Sequence, residues 1–156
     1  MSIAKRLKTQ LDAQGIAFET TRHPRTATSA ETAEVAHIPG NNFAKAVLVH
    51  LDDDFSLAVV PSTHRVDLSA LQNVIDRRIG LASESDIARL FFDCDTGALP
   101  PVGAAYDVPC VVDEALSGLE RVWFEGGDHR TLVSVSGGDF DTLMQSATHG
   151  QISNHA

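Results

Sequence analysis

The chain has 156 residues, enough for one hydrophobic core and too few for two of ordinary size, so a single domain over residues 1–156 is expected. Hydrophobic residues make up 43% and charged residues 21%, which sets aside disordered, collagen-like and disulfide-framework chains. Twelve Lys and Arg against 21 Asp and Glu give a formal charge of −9, which argues against gripping DNA or RNA chiefly by charge but leaves room for a local basic spot that reads one RNA end.

Two cysteines, Cys94 and Cys110, are too few to staple a domain of this size, and a reducing cytoplasm is the expected compartment. Early positive charges at Lys5, Arg6 and Lys8 are followed by no apolar segment, so no signal peptide is expected. The apolar runs 46–49 and 57–61 fall far short of the roughly 20 residues a membrane helix needs, and no membrane partner is expected.

Ile3, Leu7 and Leu11 recur every fourth position before Gly15, predicting an amphipathic helix with a glycine stop. A strand follows over 16–22, broken by His23-Pro24, where the proline biases His23 toward extended backbone. Thr28 and Glu31 form a capping-box pattern ahead of a helix of small residues that runs to about Ile38, ended by Pro39-Gly40. Two apolar runs, 46–51 and 55–60, flank the acidic turn Asp52-Asp53-Asp54 and predict a hairpin closed by Pro61. Helical spacing covers 67–75. A short strand over 79–82 precedes a second capped helix, with Ser83 and Asp86 three apart.

The stretch Gly97-Ala98-Leu99-Pro100-Pro101-Val102-Gly103 is neither helix nor inner strand, since adjacent prolines remove two backbone donors. Strands are predicted over 108–112, 121–125 and 131–135, a helix over 140–144, and a polar, frayed tail from Thr148. Hairpins mixed with single crossovers predict an α+β domain with a mixed, strongly curved sheet, a partial barrel, flanked by helices.

No nucleophile elbow, phosphate loop or H-E-x-x-H occurs, and the seven histidines are scattered, so neither a metal site nor a cofactor is expected. Cys94 lies between Asp93 and Asp95, whose charge disfavours the thiolate; Cys110 reads as a small core residue. Lys45, at the entrance to the most apolar strand, is where rigid backbone can hold a cation over a pocket. A solvated lysine at a strand end fits the same local pattern. Glycines at the ends of the 97–103 loop and prolines in its middle make a stiff loop whose free amides suit a carbonyl or a developing oxyanion; a plain rigid connector is the alternative. In Glu125-Gly126-Gly127-Asp128-His129, two glycines after a strand could bring backbone to a ligand with His129 at its rim, or simply turn a hairpin. His23-Pro24 with Thr26 and Thr28 is a fourth candidate, although Thr28 already has a capping role.

Taken in order, H-P-R-T-A-T-S-A-E-T-A-E from His23, P-G-N-N-F-A-K-A-V-L-V, L-A-V-V-P, G-A-L-P-P-V-G, V-P-C-V-V-D and F-E-G-G-D-H resemble the YbaK/prolyl-tRNA-synthetase-associated editing domains, including free-standing ProX-type aminoacyl-tRNA deacylases. The likeness runs from about His23 to Leu143. It implies hydrolysis, in trans, of the ester joining a wrong amino acid to the terminal adenosine of a tRNA. The partners it implies are the acceptor end of a mischarged tRNA and an aminoacyl-tRNA synthetase. Lys45 matches the family lysine that orients substrate near its terminal phosphate or ester. Gly97 through Pro101 match the family's Gly-x-x-x-Pro loop, whose backbone holds the carbonyl and aminoacyl group. His129 is the nearest match to a late histidine that shapes the amino-acid pocket in some members, in a Gly-Gly-Asp-His setting that departs from their pattern.

Catalysis of this kind needs no strong nucleophile, because an aminoacyl ester is already activated and positioning plus oxyanion stabilisation can suffice. Water, the neighbouring ribose hydroxyl, or the thiol of a cysteinyl substrate could each attack. Arg22, Arg25, His64 and Arg65 could add a small basic rim, as could Lys45 itself. A non-catalytic aminoacyl- or nucleotide-binding module on the same fold is the alternative reading.

Overall fold

The computed structural model describes residues 3–26 and 28–156; Met1, Ser2 and the motif residue Ala27 lie outside them. Five α-helices are described, α1 (Lys5–Ala13), α2 (Ser29–Val35), α3 (Leu68–Ile75), α4 (Glu84–Leu90) and α5 (Gly137–Leu143). Ten strands run β1 (Glu19–Arg22), β2 (Ala44–Leu51), β3 (Asp54–Pro61), β4 (His64–Val66), β5 (Gly80–Leu81), β6 (Cys110–Asp113), β7 (Arg121–Glu125), β8 (Thr131–Ser136), β9 (Thr148–Gly150) and β10 (Ser153–His155).

The strands form three hydrogen-bonded sheets, ordered β5-β2-β3-β6-β9, β1-β8-β7 and β10-β4. The long hairpin β2-β3 is antiparallel, whereas β3-β6 and β6-β9 are parallel, so the largest sheet is mixed. A parallel bridge between Phe43 and Trp123 joins the first two sheets at one corner. The described strands therefore make an open, jointed surface; no ladder closes it into a barrel.

Alternation along β2 and β3 sorts their side chains between two cores. Ala44 and Leu48, with Leu57 and Val59, enter the main core beside Leu7 and Leu11 of α1 and Leu99 and Val102 of the proline loop. Val49, Leu51, Ala58 and Val60 face the opposite way, onto Leu71 of α3 and Ile152. Phe43 belongs to a third cluster with Ala33 of α2 and Leu132 of β8, against which Trp123 packs.

Local signals read from the sequence account for most element starts. Thr28 and Ser83 cap their helices, and Ser83 and Asp86 complete a reciprocal capping box. Helix α2 stops at Val35, short of Ile38, because His37 adopts a left-handed backbone at φ 58°. The tail is a correction. Instead of fraying from Thr148, it supplies β9 alongside β6 and β10 alongside β4, with Ile152 fully buried between them. The buried Asp113 carboxylate draws it in, accepting from the Ile152 amide at 2.9 Å and the Ser153 hydroxyl at 2.7 Å. Strand β4, unforeseen from sequence, exists through this pairing. Among the described residues no helix is long and apolar enough to cross a membrane.

Candidate functional site

Strands β7 and β8 are joined by a turn that Asp128 holds together. Its carboxylate accepts from the Arg130 amide at 2.9 Å, the Thr131 amide at 2.8 Å and the Thr131 hydroxyl at 3.1 Å. The turn places His129 in the left-handed region, φ 62°, and its buried ring reaches across to the 96–97 segment. There Nε2 lies 2.6 Å from the Thr96 carbonyl oxygen. A carbonyl only accepts, so Nε2 carries a proton, and Nδ1 has no protein partner among the described residues.

Gly97 lies beneath that ring. Its φ is +89°, and a Cβ there would stand 3.2 Å from His129 Cε1, so both backbone shape and space call for glycine. Thr96 and Gly97 are exposed, whereas Ala98, Leu99, Pro100, Pro101, Val102 and Gly103 are buried. Ala98 donates its amide to Asp95 at 3.1 Å, and the Pro101 carbonyl accepts the Cys110 thiol at 3.7 Å. The Gly97 amide donates to no protein group among the described residues. The stiff loop expected from sequence thus presents only its leading edge, and its remainder is anchored in the main core by Leu99 and Val102.

The segment after β1 forms the facing wall. His23 donates its amide to the Arg130 carbonyl at 2.8 Å. Its ring is buried, with Nδ1 2.7 Å from the Pro24 carbonyl oxygen and Nε2 3.2 Å from Glu125 Oε1. Thr26 is buried, its hydroxyl bonded to that of Thr32 in α2. Between the walls lies a cleft of about 510 Å³ lined by Arg25, Thr26, Glu31, Thr96 and His129. Arg25 spans its lip to Asp95, 3.8 Å away. Burial pushes the Glu125 carboxyl up to about 7, against the pull of the His129 charge and with a further push from Asp128.

Gly126 and Gly127 pack against the residues before α1. A Cβ at Gly126 would lie 2.9 Å from Ile3 Cγ2, and one at Gly127, where φ is +120°, would lie 3.1 Å from Ala4 Cβ. Their carbonyls accept the amides of Ala4 at 2.8 Å and Asp95 at 2.7 Å. The pair lets the segment before α1 dock against the turn.

Lys45 stands opposite Val60 in β2, on the face of its strand that also carries Phe43 and Val47. Phe43 bridges Trp123, and by alternation Lys45 and Glu125 take the same side of their own strands as those two residues. Lys45 is half-buried and pairs with no carboxylate among the described residues; burial first, and the charge of Arg65 second, hold its ammonium below the usual lysine range. No hydrogen bond joins it to the proline loop, whose Leu99 and Val102 occupy the inner face. His23, Thr26, Gly97 and His129 are therefore drawn into one cluster, and Lys45 is not among the residues lining its cleft. Glu125, the last residue of β7, was given no role of its own from sequence; the signal available was a carboxylate directly following Val122-Trp123-Phe124.

Both thiols are unsuited to nucleophilic work. Burial, with Asp93 and Asp95 nearby, pushes Cys94 up to about 12, and burial pushes Cys110 up to about 11. A second hollow of about 500 Å³, around Asp53, Asp54, Arg77 and Arg89, contains none of the residues singled out from the sequence.

Fold and cluster together define a small mixed α+β domain whose polar cleft opens where strand ends and a stiff loop converge. The chain belongs to the aminoacyl-tRNA editing domain family, whose sequence model matches residues 23–143. It is 23% identical over 111 residues to a proline–tRNA ligase of Bacillus cytotoxicus, a match covering 71% of this chain and 20% of the ligase. The chain thus spans about a fifth of that curated relative's length. A solved structure described as a candidate trans-editing enzyme for prolyl-tRNA synthetase superposes with a TM-score of 0.84 at 22% identity over 96% of each chain. A Marinobacter aquaeolei structure described as a candidate signal transduction protein gives 0.76 at 19% identity, over 95% of this chain and 30% of that one. At these identities the structural likenesses bear on fold.

Proposed function

We propose that the domain is an aminoacyl-tRNA deacylase that hydrolyses the ester of a mischarged tRNA in trans, in the cytoplasm. The observation that carries this reading is the pairing, at one cleft, of an imidazole fixed by Thr96 with the unpartnered amide of Gly97 directly beneath it. In this reading the cation offered to the acceptor end is Lys45, half-buried and paired with no carboxylate among the described residues.

In this reading Lys45 holds the terminal phosphate or ester end of the acceptor strand. Its partial burial strengthens that contact by excluding competing water. The Gly97 amide receives the ester carbonyl and stabilises the oxyanion as it forms, while Pro100 and Pro101 keep the loop from yielding. His129, with Nε2 committed to Thr96, offers Nδ1 to a water or to the ribose hydroxyl and fixes the attacking oxygen beside the carbonyl. Thr26 and Arg25 line the aminoacyl side. Selection among amino acids rests on the size of this space, where one methylene is worth about 1–3 kcal/mol. The acidic chain holds only the single-stranded end, so affinity is modest and salt-sensitive. An aminoacyl-tRNA synthetase is the partner that would present such substrates.

The test is incubation of the full chain with alanyl, cysteinyl, seryl and threonyl esters of mischarged tRNA. Release of amino acid that Lys45→Ala abolishes with the fold intact supports the deacylase. Absence of release across the panel, with retained binding, would instead make the domain an aminoacyl-binding module.

A further inference from the structure

His23 and Glu125 are separated by 102 positions and meet with side chains 1% and 5% exposed. The geometry of the two bonds on the His23 ring fixes how many protons the pair must hold. Pro24 offers Nδ1 a carbonyl oxygen at 2.7 Å, which can only accept, so Nδ1 carries a hydrogen. In a neutral ring Nε2 is then an acceptor, and it faces Glu125 Oε1 at 3.2 Å. That contact is a hydrogen bond only if one more proton lies between them, on the carboxyl or on the ring. Without it a carboxylate confronts a lone pair in a dry site. Moving the ring hydrogen to Nε2 would set Nδ1 against the Pro24 carbonyl instead. A deprotonated pair can satisfy one of its two acceptors, never both.

The two bonds join the walls of the cleft. Glu125 ends β7 and begins the turn that carries His129, and His23-Pro24 begins the segment that carries Arg25 and Thr26. We propose that Glu125 and His23 are a positioning pair for this cleft: one shared, buried proton ties the Arg25–Thr26 wall to the His129 turn, and its loss slackens the cleft. The charged and titratable groups around the pair are Asp128 and His129 in the turn, Glu31 at α2, and the Arg25–Asp95 bridge at the lip. The upward displacement of the Glu125 carboxyl to about 7 sets where the proton leaves, as pH rises through neutrality.

The proposal rests on the deacylase reading only for its activity arm, so two measurements are made on the full chain. The first follows His23 by nitrogen-15 NMR of histidine-labelled protein from pH 5.5 to 9, values chosen to bracket the neutral range in which a histidine titrates. A change in ring protonation or tautomer across neutrality is expected in the parent. Glu125→Gln is expected to remove the change near neutrality, because its amide donates to Nε2 at every pH while Nδ1 keeps its bond to Pro24. The second is the pH profile of deacylation. The parent is expected to lose turnover on the alkaline side, Glu125→Gln to hold a flat alkaline limb, and Glu125→Ala to lose about tenfold in kcat, the scale of one buried hydrogen bond. A His23 signal that behaves identically in the parent and Glu125→Gln overturns the pair whatever the activity. If no ester in the panel is released, the deacylase reading falls and the NMR arm still decides the proton.

Discussion

His129 donates from Nε2 to the carbonyl of Thr96 at 2.6 Å, across 33 positions of sequence. That bond fixes the imidazole above Gly97 and determines which nitrogen is free. The geometry is exacting because both residues sit in left-handed backbone, φ 62° at His129 and φ +89° at Gly97.

Gly97→Ala therefore carries a double burden. A Cβ would adopt an unfavourable φ and press on His129 Cε1 from 3.2 Å. Left-handed backbone at a non-glycine residue costs about 1–2 kcal/mol, so a lowered Tm is expected together with a larger loss of deacylation than of stability. Denaturant melts and single-turnover rates on one preparation separate the two. Unchanged turnover would remove the loop edge from the site.

Lys45→Ala removes an unpaired, half-buried cation, so stability is expected to hold or rise slightly, while deacylation falls by about 10²-fold or more. Lys45→Arg restores charge but not the compact ammonium, and partial recovery is expected. Thermal melts beside amino-acid release from the ester panel read both effects.

Asp113→Ala leaves the Ile152 amide and Ser153 hydroxyl without their acceptor, along with the Ala115 amide bonded at 2.8 Å. Loss of bonds to a buried carboxylate costs roughly 3 kcal/mol, and rapid hydrogen exchange confined first to residues 148–155 is expected. Exchange at parental rates there would show that the tail docks without Asp113.

Acid sensitivity is expected to pass through Asp93. Burial pushes its carboxyl up, but bonds from the Tyr106 hydroxyl at 2.6 Å and the Arg6 amide at 2.9 Å outweigh it, and the group sits below its ordinary value of 3.8. A lowered carboxyl favours the folded state above the unfolded value and loses that contribution as pH falls through the folded one. Stability is thus expected to decline below about pH 4. Tyr106→Phe is expected to shrink that decline in acid-unfolding curves.

Thiol chemistry offers a simple exclusion. With Cys94 held near 12 and Cys110 near 11, alkylation of the folded protein at pH 7.5, a pH at which a free thiol of ordinary pKa near 8.5 reacts readily, is expected to be slow. Deacylation is expected to survive it, as intact mass and residual rate would show.

Much of the architecture was legible because it is written locally. The β2-β3 hairpin, the caps at Thr28 and Ser83 and the proline-interrupted loop each depend on residues within a few positions. What escaped is written at long range. Strands β4, β9 and β10 are three residues each, polar, and exist through their partners, so no alternation marks them. The loop's glycines and prolines announced stiffness, but not that Ala98 onward would be buried, which follows from Leu99 reaching the main core. Gly126-Gly127 reads from the sequence as a ligand-facing turn or a plain hairpin turn, and its contacts with Ile3 and Ala4 come from far away in the chain. The cleft itself was half legible: His23, Thr26, Gly97 and His129 were named from the chain, while the link from His23 to Glu125 could be seen only once β1, β7 and β8 were side by side.

The docking of β9 and β10 also bears on aggregation. Strand β6 needs residues 148–150 along one edge and β4 needs 153–155, so both rims stay unpaired whenever that stretch is undocked. Detachment of residues 148–155 would leave sticky strand edges, which makes them guardians against aggregation as much as parts of the scaffold.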